Sequence, residues 1–98
     1  LQIKPIIELQ DGMLELTGRV RSRTKSLEEM VVRMKKKFGD IKIHAGIGHV
    51  RDPRSAEQLL EMVKNSFNCV DTVVAEVSIA LAVHFGPGGL GFAAYPAE

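Results

Sequence analysis

The segment from Ile41 to Val77 is the part of the chain that leaves the fewest folds open. IKIHAGIG (41–48) and VDTVVAEV (70–77) read as strands, and between them Ala56, Leu59, Leu60, Val63 and Phe67 repeat at helical spacing over about 53–67. Asp52 stands where an N-cap belongs. Pro53 follows at the first helical position, where its missing N–H costs nothing. Strand, helix and strand in that order favour a right-handed parallel crossover.

The remaining elements are fitted around this unit. IKPIIEL (3–9) reads as a strand that Pro5 confines to an edge or a strand start, and Gln10-Asp11-Gly12 as a tight turn. In MLELTGRV (13–20), Met13, Glu15 and Thr17 alternate with Leu14 and Leu16, which predicts a second antiparallel strand with a bulge at Gly18. Leu27, Met30, Val31, Met34 and Phe38 form one helical face over 27–38. Ser26 with Glu29 fits a capping box, Gly39 a C-terminal stop, and Lys35, Lys36 and Lys37 complement the helix dipole. A short helix over 78–84 and a strand over 90–94 complete the chain. The expected fold is α/β: a two-layer sandwich with a mixed sheet of about five strands and two main helices on one face.

The 98 residues make a single domain, 1–98, and a chain that opens on Leu1 is expected to be part of a longer protein. A domain of this size buries roughly 60–65% of the surface its unfolded chain exposes, so its stability is modest. The net charge of +1 gives no global case for nucleic acid or a membrane surface. No apolar run approaches the about 20 residues of a membrane span, and no signal peptide pattern is present. The lone Cys69 excludes an internal disulfide and fits a reducing compartment, so a cytoplasmic location is expected. Three scattered histidines (His44, His49 and His84) and one cysteine make a poor metal set. Ser78 and Cys69 have no identifiable base, so no nucleophilic centre is predicted.

Two constellations carry chemistry. The apolar run Val77–Val83 ends at His84, and His84 opens into Phe85-Gly86-Pro87-Gly88-Gly89-Leu90-Gly91. One reading has His84 hydrogen-bonding the polar head of a small amphiphile, with Gly86 and Gly88 letting the backbone approach it and apolar surroundings taking its tail. The other has a buried histidine that caps the short helix, followed by a sharp helix-to-strand turn. The glycines lack the Lys-Ser/Thr of a phosphate-binding loop.

The second constellation is Arg19, Arg21, Arg23 and Lys25. In an extended strand these would project to one side, as an anion site, as a docking surface for an acidic partner or nucleic acid, or as a solvated strand end. Aromatic residues make up 5% of the chain and none interleaves the basic run, which speaks against single-stranded nucleic acid.

KPIIEL followed by Asp11-Gly12, then VRSRTKSLEEMV, the strand–helix–strand unit and HFGPGGLGFAAY together resemble the C-terminal domain of the DegV family of bacterial fatty-acid-binding proteins. The resemblance implies a fatty acid held between this domain and an N-terminal domain. His84 stands at the histidine of the family's His-Thr-Gly-Pro-Gly motif, which binds the carboxyl group, with Gly86-Pro87-Gly88 matching its end. Arg21, in the family's Val-Arg-Thr/Ser segment, would lie with Arg19 and Arg23 on the rim that meets an ATP-binding fatty acid kinase subunit. The chain would then be a lipid-binding subunit without cofactor or catalytic residues. Val77–Val83, Phe85, Leu90 and Phe92 would supply part of the acyl wall.

Phe85 departs from the family's threonine. Ser78 and Ala82 stand where glycines are common, which would narrow the tunnel. Cutting the partner domain away would expose apolar surface around 77–92 and drive self-association. The rival function is a basic interaction module built on Arg19, Arg21, Arg23 and Lys25.

Overall fold

The computed structural model describes residues 6–9 (backbone only), 12–17, 22–77, 83 and 86–98. Five strands and two helices follow in the order β1 (Ile6–Leu9), β2 (Gly12–Thr17), α1 (Arg23–Phe38), β3 (Lys42–His49), α2 (Pro53–Ser66), β4 (Asn68–Glu76) and β5 (Leu90–Pro96). The strands form one mixed sheet in the order β1-β2-β5-β3-β4. This is the expected two-layer α/β architecture. The β3-α2-β4 unit is a parallel crossover, with Lys42 paired to Asn68 at one end and His49 to Glu76 at the other. The last strand in sequence, β5, sits in the middle and runs antiparallel to both β2 and β3.

Alternation along the strands decides which face the helices cover. Met13, Ile43, Ala45, Ile47, Leu90, Phe92 and Ala94 are buried together with Leu27, Met30, Val31, Met34 and Phe38 of α1 and Ala56, Leu59 and Val63 of α2. Both helices therefore lie on one side of the sheet. Phe92 is the largest fully buried side chain among the described residues, and its ring meets Phe67 edge-on at a centroid distance of 5.7 Å. Leu90 and Phe92 thus belong to the domain's own core, and the expectation that they line an acyl wall is overturned.

Glu15 shares the covered face with Met13 and Thr17 and is fully buried, with its Oε1 accepting from Arg33 of α1 (Nε at 2.7 Å). Its Oε2 has no hydrogen-bond partner among the described residues. Removing the guanidinium would leave a buried carboxylate uncompensated.

Helix α1 starts a full turn earlier than the capping-box pattern predicts. Ser22 is the N-cap, and its side chain makes no capping hydrogen bond. Ser26 falls on the buried stripe with Leu27 and Met30, and no breaker stands between Arg23 and Ser26 to stop the helix extending. The other end is as expected: Gly39 has φ 55°, its N–H donates to Lys35 O at 2.8 Å, and Lys35, Lys36 and Lys37 occupy the last turn. For α2, Ser55 N donates to Asp52 Oδ1 at 3.1 Å, as the N-cap reading requires.

The hairpin pairs Ile6 with Glu15 and Leu9 with Gly12. The bulge expected at Gly18 lies outside the described residues, as does the short helix over 78–84 apart from Val83. Phe92→Ala should destabilise the domain by roughly 3–5 kcal/mol through loss of burial and the cavity left behind. Urea unfolding checks this; a cost typical of a surface position would mean that Phe92 is not a core residue.

Candidate ligand-binding site

The topology gathers loops at one end of the sheet. Strands β2, β3 and β4 all run toward it, so it is the carboxyl end of the parallel set, where open α/β sheets leave a crevice for ligands. The N-terminus of α2 follows directly from the end of β3, and the glycine turn 86–89 enters β5 there. The turn closes through Gly89 N to Gly86 O at 3.2 Å, with φ 71° at Gly86 and 93° at Gly88, values that favour glycine. Two hydrogen bonds pin it to the end of β3: Gly88 N to Val50 O at 2.8 Å, and Val50 N to Gly89 O at 2.9 Å.

A polar network continues from this turn. Arg23, in the first turn of α1, donates from Nη2 to Gly88 O, and the same nitrogen lies 3.6 Å from Asp52 Oδ2. Asp52 N donates to His49 Nδ1 at 3.1 Å, so the His49 ring carries its proton on Nε2. Arg51, between His49 and Asp52, takes a left-handed φ of 51°, uncommon outside glycine, and swings the chain from β3 into α2. Burial pushes the Asp52 carboxyl up, but the Ser55 hydrogen bonds and the Arg23 charge outweigh it, and the group is held below the usual carboxylate range.

This arrangement corrects the second constellation. Strand β2 ends at Thr17, and Arg23 and Lys25 lie in the first turn of α1, so the period-two alignment of four cations does not hold for them. Arg23 turns inward to the glycine turn, whereas Lys25 is exposed. Arg19, Arg21, His84 and Phe85 lie outside the described residues. Gly86 and Gly88 lie in the turn as expected. Sequence reasoning left His49 in a loop and did not join Asp52 to any ligand site. The available signal was a histidine ending a parallel strand three residues before a helix N-cap.

The sheet face away from the helices is apolar and low. Across the strands, Ala75, Gly48, Gly91 and Leu16 form one row, and Val73, Gly46, Ala93 and Leu14 the next. A side chain at Gly48 would collide with Val77, whereas Gly46 stands open. Val73 is 63% exposed and Val83 81% exposed. The far end of this face is polar: His44 Nδ1 lies 2.7 Å from Asp71 Oδ1, and the His44 and Tyr95 rings are 4.8 Å apart.

Burial raises the Cys69 thiol above its ordinary range, and the Asp71 charge adds to this, so the group is a poor nucleophile. Among the described residues no group of His, Cys, Asp and Glu is arranged to hold a metal ion, and no helix is long and apolar enough to cross a membrane.

A mixed sheet with two helices on one face and a hydrogen-bonded glycine turn at its carboxyl end is an α/β domain with a candidate ligand site at that turn. Comparison with known proteins makes the class particular. The model for the uncharacterised protein family DegV matches residues 1–97, and the chain belongs to that family.

A DegV domain-containing protein of Clostridium acetobutylicum is 31% identical over 100 residues, which cover 97% of this chain and 33% of the relative. A DegV lipid-binding protein of Thermotoga maritima superposes with a TM-score of 0.74 at 21% identity, covering 93% of this chain and 36% of that one. A fatty-acid-binding DegV family protein of Thermus thermophilus gives 0.70 at 26% identity, covering 91% and 36%. The chain thus spans about a third of the length of the proteins it matches.

Asp52→Asn, which keeps a capping oxygen but removes the charge, should lower stability at neutral pH by roughly 0.3–1 kcal/mol, the usual worth of a charge at a helix N-terminus. The folded carboxyl ionises below its unfolded value. Its contribution is therefore complete above about pH 4 and is lost as the pH falls through the folded value. Urea midpoints of the two proteins should converge on acidification; a gap that is constant with pH would contradict this.

Proposed function

We propose that this chain is the C-terminal domain of a two-domain, cytoplasmic fatty-acid carrier. The observation that carries the reading is the glycine turn directly after His84. It enters β5 at the carboxyl end of the sheet, beside the N-terminus of α2 and the first turn of α1, and next to the apolar sheet face that α1 and α2 leave free. Two helix N-termini at one end favour a negative group there. His84 then hydrogen-bonds the acid head, with Phe85, Gly86 and Gly88 against it. The sheet face away from α1 and α2, with Leu14, Val73 and Ala93, takes the alkyl chain together with the apolar run Val77–Val83 and the N-terminal domain. The fatty-acid binding of the Thermus thermophilus relative supports this reading at the level of the family.

The protein presents the carboxylate rather than acting on it. Phosphoryl transfer belongs to an ATP-binding fatty acid kinase subunit, which docks at Arg19 and Arg21. Arg23, held inward, leaves that docking set. The rival basic module loses its geometric ground with Arg23 and Lys25 on the helix.

In the full-length protein, His84→Ala should weaken binding of cis-parinaric acid about tenfold, as expected for the loss of a hydrogen bond to a charged group, with thermal unfolding little changed. Unchanged affinity, or collapse of the fold, would refute the assignment of His84. The isolated chain should self-associate through apolar surface around 77–92, and light scattering that shows only monomer at high concentration would count against that surface as an interface.

A further inference from the structure

Three segments far apart in sequence meet at the Arg23 guanidinium: the start of α1 that carries it, the N-cap of α2 at Asp52, and the carbonyl of Gly88. The turn it touches has no side chain at Gly86, Gly88 or Gly89 to lock its conformation by packing. Glycines lose the most freedom on ordering, so such a turn needs fixing from outside. Val50 provides two backbone hydrogen bonds, and Arg23 provides a side-chain donor to the turn.

A guanidinium is suited to this because it stays charged and is less strongly hydrated than a lysine ammonium, so its Nη2 can sit between a carbonyl and a carboxylate in a part-buried position. Asp52 in turn caps α2 and is tied to His49, so the turn, the end of β3 and both helix starts form one connected unit.

We propose that Arg23 is a positioning residue of the acid-binding site, clamping the glycine turn that follows His84 against α2 through Gly88 O and Asp52. The proposal rests on the carboxylate-binding reading. It assigns Arg23 to ligand affinity and removes it from partner docking. Losing the clamp frees the turn, so the head-group site must be ordered at the moment of binding and affinity falls.

The test uses the full-length protein, with cis-parinaric acid titrated by fluorescence and hydrogen exchange followed over residues 86–90. Arg23→Gln should weaken binding about tenfold, in line with the loss of a charged hydrogen bond, and speed exchange in the turn. Arg23→Lys, which keeps the charge on a shorter and more strongly hydrated group, should recover only part of the affinity. Phe67→Leu, a core change that lowers thermal stability without touching the turn, should leave affinity at the wild-type value.

Wild-type affinity in Arg23→Gln, full recovery in Arg23→Lys, or an equal loss in Phe67→Leu would overturn the proposal. If the wild-type protein fails to bind the probe, the carrier reading falls and the affinity role with it. Unchanged exchange over 86–90 in Arg23→Gln would remove the clamp itself even where the carrier reading survives.

Discussion

The rest of the structure depends on β5 lying antiparallel between two strands that are parallel to each other. Its register joins Met13–Thr17 of β2 on one side and Ile43–His49 of β3 on the other. Without it the sheet is two pieces, a β1-β2 hairpin and a β3-α2-β4 unit, neither with a complete core. Its inward residues Leu90, Phe92 and Ala94 bring both halves under the two helices. The glycine turn that starts β5 therefore does two jobs. It sets the register of the central strand, through Val50, and it shapes the crevice where the acid head is proposed to sit.

Those jobs explain why the two ends of the domain differ in chemistry. At the carboxyl end the described segments are tied together by hydrogen bonds, from Gly88 to Val50, Arg23 and, through Asp52, the start of α2. A site that holds a charged group benefits from such rigidity. The face away from α1 and α2 makes no comparable demands, since the alkyl chain proposed for it needs only area and room. Glycines at 46 and 91 with Ala93 keep its floor low, and Leu14 and Val73 rise at its sides.

Much of this fold is legible in the sequence, because periodicity reports burial directly. The helical stripes ending at Phe38 and Val63 and the alternating strands all appear within two or three residues of their observed limits, apart from the start of α1. That start is hidden because a serine three residues before a glutamate looks the same whether it caps a helix or lies in its second turn. Only the packing of Ser26 against the sheet separates the two. The alternation of Arg19, Arg21, Arg23 and Lys25 misled for a related reason: a period of two means a shared side only while the chain stays extended. Leu90 and Phe92 read as wall residues because β5 is apolar on both sides, and the strand order that buries them is a non-local property. For the same reason Asp52 was legible as a cap, but its meeting with Arg23 and Gly88 was not.

Strand order also has a consequence for how the domain is made. Of the five strands, the central one is the last to be synthesised, so β2 and β3 leave the ribosome with their facing edges unpaired. Exposed edges of this kind are templates for the wrong partner. The hairpin and the crossover unit can form early from local contacts, but the core stays open until β5 slots between them. Completion is thus a single late insertion, and anything that delays it, from a ribosomal pause to a substitution in the glycine turn, lengthens the time the nascent chain needs a chaperone.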